Sequence, residues 1–253
     1  MTGWLGLLRS FVIYWRPGRQ RGLRRLYRPF VGPGDLVFDV GAHVGDRSMA
    51  FAALGARVVA VEPQPHIVRW LRRVVARNPD IVVEATAVGA QEGRGELAVS
   101  RRTPTVSSLA GEWRRRLTRE NQGFRGVRWE DRVEVEITTL DALIRRHGIP
   151  RFCKIDVEGF ESQVLKGLSR PLDGVSVEFV QGSLDVALEC VQRLEELAEY
   201  QYNAVAGEDR RFLFPSWRGA GELARWLEEG ASEVASGDLY ARRPAAVGGE
   251  ERP

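Results

Sequence analysis

The chain has 253 residues, 43% hydrophobic and 28% charged, with 7 Trp and 10 Phe; this composition predicts one large packed domain and excludes a disordered chain or two ordinary domains with a linker. Its two cysteines, Cys153 and Cys190, have no Cys or His partner at metal-ligand spacing, which excludes a disulfide framework and points to a reducing cytoplasm. The net charge is only +3, yet Arg9, Arg16, Arg19, Arg21, Arg24, Arg25 and Arg28 all precede the first acidic residue, Asp35, so the basic character is local.

Trp4, Leu7, Leu8, Phe11 and Trp15 fall at helical spacing and predict an amphipathic helix stopped by Pro17-Gly18. Residues 1–34 are read as an Arg-rich helical segment whose apolar stripe packs on the domain, with an anionic membrane surface as a second candidate partner. Broken by Arg9 and Ser10, the stripe matches neither a signal peptide nor a bilayer span. From residue 35 short β-branched runs alternate with helical patterns: LVFDV, a helix over 48–54, RVVAVE, a helix over 66–77, then the strand IVVEATAV at 81–88. That alternation is the mark of βαβ units on a parallel sheet. ELAVS follows, then a polar, basic stretch over 111–131 read as an excursion over the sheet. RVEVEITT, the helix LDALIRRHG, the strand FCKIDV, the helix SQVLKGL, the strand VSVEFV and a helical stripe from Leu184 to Leu197 continue the pattern. Residues 202–205 and 211–214 flank Gly207-Glu208-Asp209 and predict a hairpin. The domain is expected over 35–243, followed by a disordered tail over 244–253.

The most informative segment is VFDVGAHVG at 37–45, an apolar strand running into a glycine turn that opens a helix. Backbone N–H groups gather at such a helix start and favour a negative group, and glycine permits close backbone approach. The spacing is G-x-x-x-G, not the G-x-G-x-x-G of dinucleotide sites, which tilts the expectation from NAD to a ligand with only a carboxylate to hold, such as S-adenosylmethionine. Asp39, Gly41, Ala42, His43 and Gly45 are the candidates here. Glu62 ends the next strand, followed by Pro63, at the spacing where an acid accepts from ribose hydroxyls. Helix capping is the plainer explanation of either acid taken alone.

The second segment is KIDVEGFE at 154–161, at the ligand-bearing end of a strand. Lys154 and Lys166 are the chain's only lysines among 37 cationic residues, so Lys154 beside two acids is a candidate for its compact charge, with plain neutralisation of its neighbours as the alternative. Asp156, Glu158 and Glu178, the last at the end of VSVEFV, are expected on the same edge, where they could share general-base work or hold Mg²⁺. Of the three histidines, only His43 sits in a site-forming turn; His66 starts a helix and His147 ends one. The sequence contains neither G-x-S-x-G nor G-x-x-x-x-G-K-[ST], which removes a nucleophile elbow and a P-loop.

Taken together, VFDVGAHVGD (37–46), VVAVEP (58–63), VSSL (106–109), ITTLDAL (137–143), KIDVEGFESQVLKGL (154–168) and VEFV (177–180) resemble the FkbM-type methyltransferases over residues 35–240. The resemblance implies a Rossmann-like class I methyltransferase fold, an α/β, mostly parallel doubly wound sheet with a C-terminal antiparallel hairpin. It also implies methyl transfer from S-adenosylmethionine to a hydroxyl of a sugar, glycan or polyketide-like metabolite. By the same resemblance Asp39, Gly41 and Gly45 hold the methionine end of the cofactor, Glu62 the ribose, and Ala87 lies near the adenine. His43 departs from the family, which often has Asn there. The early arginines admit an RNA methyltransferase as a second reading, although a nucleic-acid partner is not what the motifs favour; a cofactor- or membrane-binding domain without catalysis is a third.

Overall fold

The computed structural model describes residues 18–100, 108–110, 129 and 131–244. The predicted helix over 4–15, most of the 111–131 excursion and the tail after Pro244 lie outside them. The described elements, in chain order, are α1 (Arg19–Tyr27), β1 (Leu36–Val40), α2 (Asp46–Ala52), β2 (Arg57–Val61), α3 (Pro65–Val75), β3 (Ile81–Glu84), β4 (Ala87–Val88), β5 (Gly93–Val99), β6 (Asp131–Thr138), α4 (Leu140–His147), β7 (Phe152–Ile155), α5 (Glu161–Lys166), β8 (Gly174–Val180), α6 (Leu184–Leu197), β9 (Gln201–Ala206), α7 (Ala220–Glu228) and β10 (Ser236–Arg242).

Seven strands form one sheet in the order β3-β2-β1-β7-β8-β10-β9. Neighbours from β3 to β8 pair parallel, and β10 runs antiparallel to both β8 and β9. This is an α/β, mostly parallel doubly wound sheet with a C-terminal antiparallel hairpin, as the sequence predicts. The apolar runs explain it: strands in the middle of a parallel sheet are covered on both faces and need no polar side. Every residue of β1 is buried, and alternate residues feed opposite cores. Val37, Val58 and Ala60 pack with Leu23, Leu26, Tyr27, Phe51 and Leu71 from α1, α2 and α3. Phe38, Val40, Val59 and Val61 pack with residues from α4, α5, α6 and α7 on the other face.

Two local expectations change. IVVEATAV is not one strand: it breaks after Glu84, and Ala87–Val88 joins a separate three-stranded sheet of order β4-β6-β5. Thr86 fixes the break, its hydroxyl donating to Glu136 O at 2.8 Å. The C-terminal hairpin pairs β9 with β10 rather than with 211–214, which returns a single bridge between Val205 and Phe212. Asn203 holds that return, its side-chain amide donating to Phe214 O while its Oδ1 accepts from Phe214 N. No described helix is long and apolar enough to cross a membrane, and both cysteines are free and buried.

The chain runs from β1 to β2 and β3 on one side, then returns to place β7 on the other side of β1. The carboxyl ends of β1 and β7 therefore flank a switch point, where open α/β sheets bind ligands.

Candidate functional site

A cavity of about 280 Å³ opens at that switch point. Its first wall is the glycine turn after β1. Gly41 has φ 82°, and a Cβ there would lie 1.8 Å from the carbonyl oxygen of Asp156, so the close approach of β1 to the end of β7 admits no side chain. Gly41 N–H and Ala42 N–H donate to Val61 O at 2.9 and 3.0 Å, and Gly45 N–H donates to Ala42 O at 2.8 Å. His43 N–H donates to Glu62 Oε2 at 3.1 Å. The turn's amides at 41, 42, 43 and 45 thus already have protein acceptors, and what they build is the turn's shape.

Glu62 lies just past β2, 3% exposed. Its Oε1 accepts from Gln64 N–H at 2.9 Å, so each carboxyl oxygen is held by one backbone amide and keeps lone-pair capacity for more donors. Burial, only partly offset by those amides, pushes its pKa up to about 7. The His43 ring lines the cavity, and burial pushes it down to about 4, so it is neutral over the usual range.

Gly41, Ala42, His43, Glu62, Pro63 and Ala87 all line the cavity; Asp39 and Gly45 do not. Asp39 is fully buried behind the turn, with Ser48 Oγ donating to its Oδ2 at 2.5 Å. Gly45 precedes α2 with φ 81°, and a Cβ there would meet Leu71 Cδ1 at 2.6 Å. Both residues therefore shape the turn from behind. His66 and His147 are not in the wall either; His147 Nε2 pairs with Glu84 Oε1 at 2.8 Å.

The opposite wall brings together Lys154, Asp156, Glu158 and Glu178. Lys154, 1% exposed on β7, donates from Nζ to Asp156 Oδ2 at 2.8 Å. Burial opposes its charge, but Asp156 more than compensates and holds the ammonium above its ordinary range. Burial likewise opposes the Asp156 carboxylate, and Lys154 and Arg47 overcome it, holding the carboxyl below the usual range. Glu158 and Glu178 have no cation in contact: burial, then Asp156 and other acids nearby, push both well up, and Lys154 offsets this only in part for Glu158. Glu158 has φ 56°, and Ser108 Oγ donates to its carbonyl at 2.6 Å, which steadies the loop. Glu161 anchors the same loop, its Oε1 accepting from Val157 N–H at 2.9 Å and Gly159 N–H at 3.2 Å.

Among the wall residues that the sequence reading did not assign to a site are Arg47, Phe160, Glu208 and Asp238. Asp46, also in the wall, accepts from Arg19 Nε at 3.0 Å, and Arg19 Nη2 lies 2.8 Å from Glu208, joining α1, α2 and the loop after β9 at the rim. Arg47 reaches Asp46 and Glu208 only at 3.4 and 3.6 Å, and its buried Nε has no hydrogen-bond partner among the described residues. A sequence signal existed for Asp238 alone, as an acid within the apolar run GDLYA.

The sequence matches the methyltransferase FkbM domain family over residues 39–217, a span that contains both the glycine turn and the carboxylate wall. The chain belongs to the FkbM methyltransferase family. This FkbM methyltransferase is 26% identical over 149 residues to the hexuronic acid methyltransferase AglP of Haloferax volcanii, a match covering 58% of this chain and 55% of that one. The chain thus spans about half the length of that curated relative. Among solved structures, precorrin-6y C5,15-methyltransferase from Geobacter metallireducens is 10% identical, with a TM-score of 0.46 over 89% of this chain and 87% of that one. Aeropyrum pernix fibrillarin, solved with bound S-adenosyl-L-methionine, is 13% identical, with a TM-score of 0.45 over 84% and 68%.

Proposed function

We propose that this protein transfers the methyl group of S-adenosylmethionine to a hydroxyl oxygen of a sugar, glycan or polyketide-like acceptor. One observation carries the reading: a single cavity joins the glycine turn and Glu62 to the carboxylates at the ends of β7 and β8. The first wall takes the cofactor. Ribose hydroxyls donate to the free lone pairs of Glu62, Ala87 and Pro63 border the adenosine, and Arg47, rather than the occupied amides of the turn, meets the methionine carboxylate. Asp39 and Gly45 serve by holding the turn.

The second wall takes the acceptor. In-line displacement breaks the bond from sulfur to the methyl carbon as the bond from oxygen to carbon forms, leaving neutral S-adenosylhomocysteine and a proton from the hydroxyl. Asp156 is the base of this reading, since Lys154 keeps it ionised. Alignment supplies much of the rate, and a placed base adds about 10²–10⁴-fold. The sugar acceptor is supported by the likeness to the haloarchaeal hexuronic acid methyltransferase. Incubating the protein with S-adenosylmethionine and a panel of hydroxylated glycans tests the reading: release of S-adenosylhomocysteine with at least one of them is expected, and no release with any hydroxyl acceptor while an RNA or carboxylate acceptor turns over would overturn it.

A further inference from the structure

The second wall holds more carboxyl groups than the cations in contact with it can pair. Asp156 at the end of β7, Glu158 in the loop beyond it and Glu178 on β8 each bring one carboxylate oxygen within 4.8 Å of the others. Lys154 is in contact with Asp156 alone of the three, and the guanidinium of Arg47 is spread over Asp46 and Glu208. Three half-buried carboxyl groups against one ammonium leave two without a cation in contact.

A second observation comes from another strand. Asp238 stands opposite Glu178 in the antiparallel register of β8 and β10. It lines the same cavity, is 8% exposed, and its carboxyl makes no hydrogen bond or ion pair among the described residues. Glu178 Oε2 is buried and equally without a hydrogen-bond partner. Native interiors do not leave such groups unsatisfied, so their acceptor capacity points to something that enters the cavity.

We propose that Asp156, Glu158 and Glu178 form a site for one hard divalent cation, Mg²⁺ or Mn²⁺, with Asp238 as the neighbouring carboxylate that orients the water and acceptor oxygens completing its shell. An all-oxygen set suits these ions rather than zinc or copper. Mg²⁺ holds oxygens at about 2.1 Å, so neighbouring ligands sit about 3 Å apart, and separations up to 4.8 Å close by side-chain rotation. The ion's two positive charges would pair the two carboxyl groups that lack a contacting cation. Asp156 can keep its contact with Lys154 through Oδ2 and offer Oδ1 to the ion.

The acceptor's place on the cation rests on the methyl-transfer reading, whereas the cation site itself does not. The test therefore uses metal alone. Titrating the full chain with Mn²⁺, followed by electron paramagnetic resonance in the absence of cofactor and acceptor, should show one saturable site per chain that Mg²⁺ displaces. Glu178→Gln should weaken it at least tenfold. Thermal melting guards against misfolding: without metal, Glu178→Gln should melt no lower than the wild type because it keeps the shape of a side chain whose Oε2 has no hydrogen-bond partner to lose, and Mn²⁺ should raise the melting temperature of the wild type only. Absence of saturable Mn²⁺ binding at millimolar concentration, or equal affinity in a folded Glu178→Gln protein, would overturn the proposal. Cofactor titration, run separately, reports on the methyl-transfer reading whichever way the metal result falls.

Discussion

Glu62 holds the turn through its own contacts, and the proposed function gives the same side chain the ribose. Its two backbone contacts fix the turn against β2, and burial raises its pKa from an ordinary 4.5 to about 7. A carboxyl with a raised folded-state pKa contributes stability that is fully present below 4.5 and lost as pH rises through 7. Over that window the contribution is on the order of 3 kcal/mol at most. In urea melts of cofactor-free protein, the wild type should lose more stability between pH 5 and pH 8 than Glu62→Gln does; identical pH slopes would count against the buried, uncompensated carboxyl. Asp156→Asn should lower turnover about 10²–10⁴-fold while leaving S-adenosylmethionine affinity near that of the wild type. The loss is expected whether Asp156 acts as base or as ligand, and Mn²⁺ affinity separates the roles, since only a ligand's removal weakens it. Both residues were legible in the sequence because each ends an apolar strand run. Arg47 was not, because its meaning depends on Glu208, distant in sequence and brought near only by the fold.

At the level of elements, the turn after β1 is where conformation and packing act together. Gly34 and Gly41 share a left-handed φ, 83° and 82°, but a Cβ on Gly34 would meet nothing within 4 Å, whereas one on Gly41 would meet Asp156 O at 1.8 Å. Gly34→Ala should thus cost about 1–2 kcal/mol, the left-handed penalty alone. Gly41→Ala adds a backbone clash and should cost about 3 kcal/mol or more, read as a shift in urea midpoint at constant m-value. The central strands β1, β2, β7 and β8 were readable because burial on both faces demands continuous apolar runs. The small β4-β6-β5 sheet was not: β5 begins Gly-Arg-Gly with exposed residues, and its partner β6 lies more than thirty residues further on, so local patterning says nothing of the pairing. β10 was missed for a related reason. Its sequence is short and mixed, and only its insertion between β8 and β9 makes it an interior strand.

For the whole molecule, α1 binds the Arg-rich end of the chain to the core. Tyr27 packs on Phe51 at 4.4 Å between ring centroids and on Phe152 at 5.9 Å, and Arg19 reaches the cavity rim through Asp46 and Glu208. Tyr27→Ala should destabilise the protein by about 3–5 kcal/mol, measurable by thermal melting, and a shift near zero would mean α1 is not part of the folded unit. The cavity walls show the same dependence on the whole. Glycine turn, Glu62 and the 156–158 loop follow strands that the alternating pattern predicts, while Asp238 enters the site only because the last strand folds back beside β8. The central claim is that this FkbM methyltransferase holds S-adenosylmethionine between the turn and Glu62, and calorimetric titration of wild type and Glu62→Gln tests it most directly. One cofactor should bind per wild-type chain, and Glu62→Gln should lose about 1.5–3 kcal/mol, roughly ten- to a hundredfold in affinity. No saturable binding to the wild type, or unchanged affinity in a folded Glu62→Gln protein, would contradict the account.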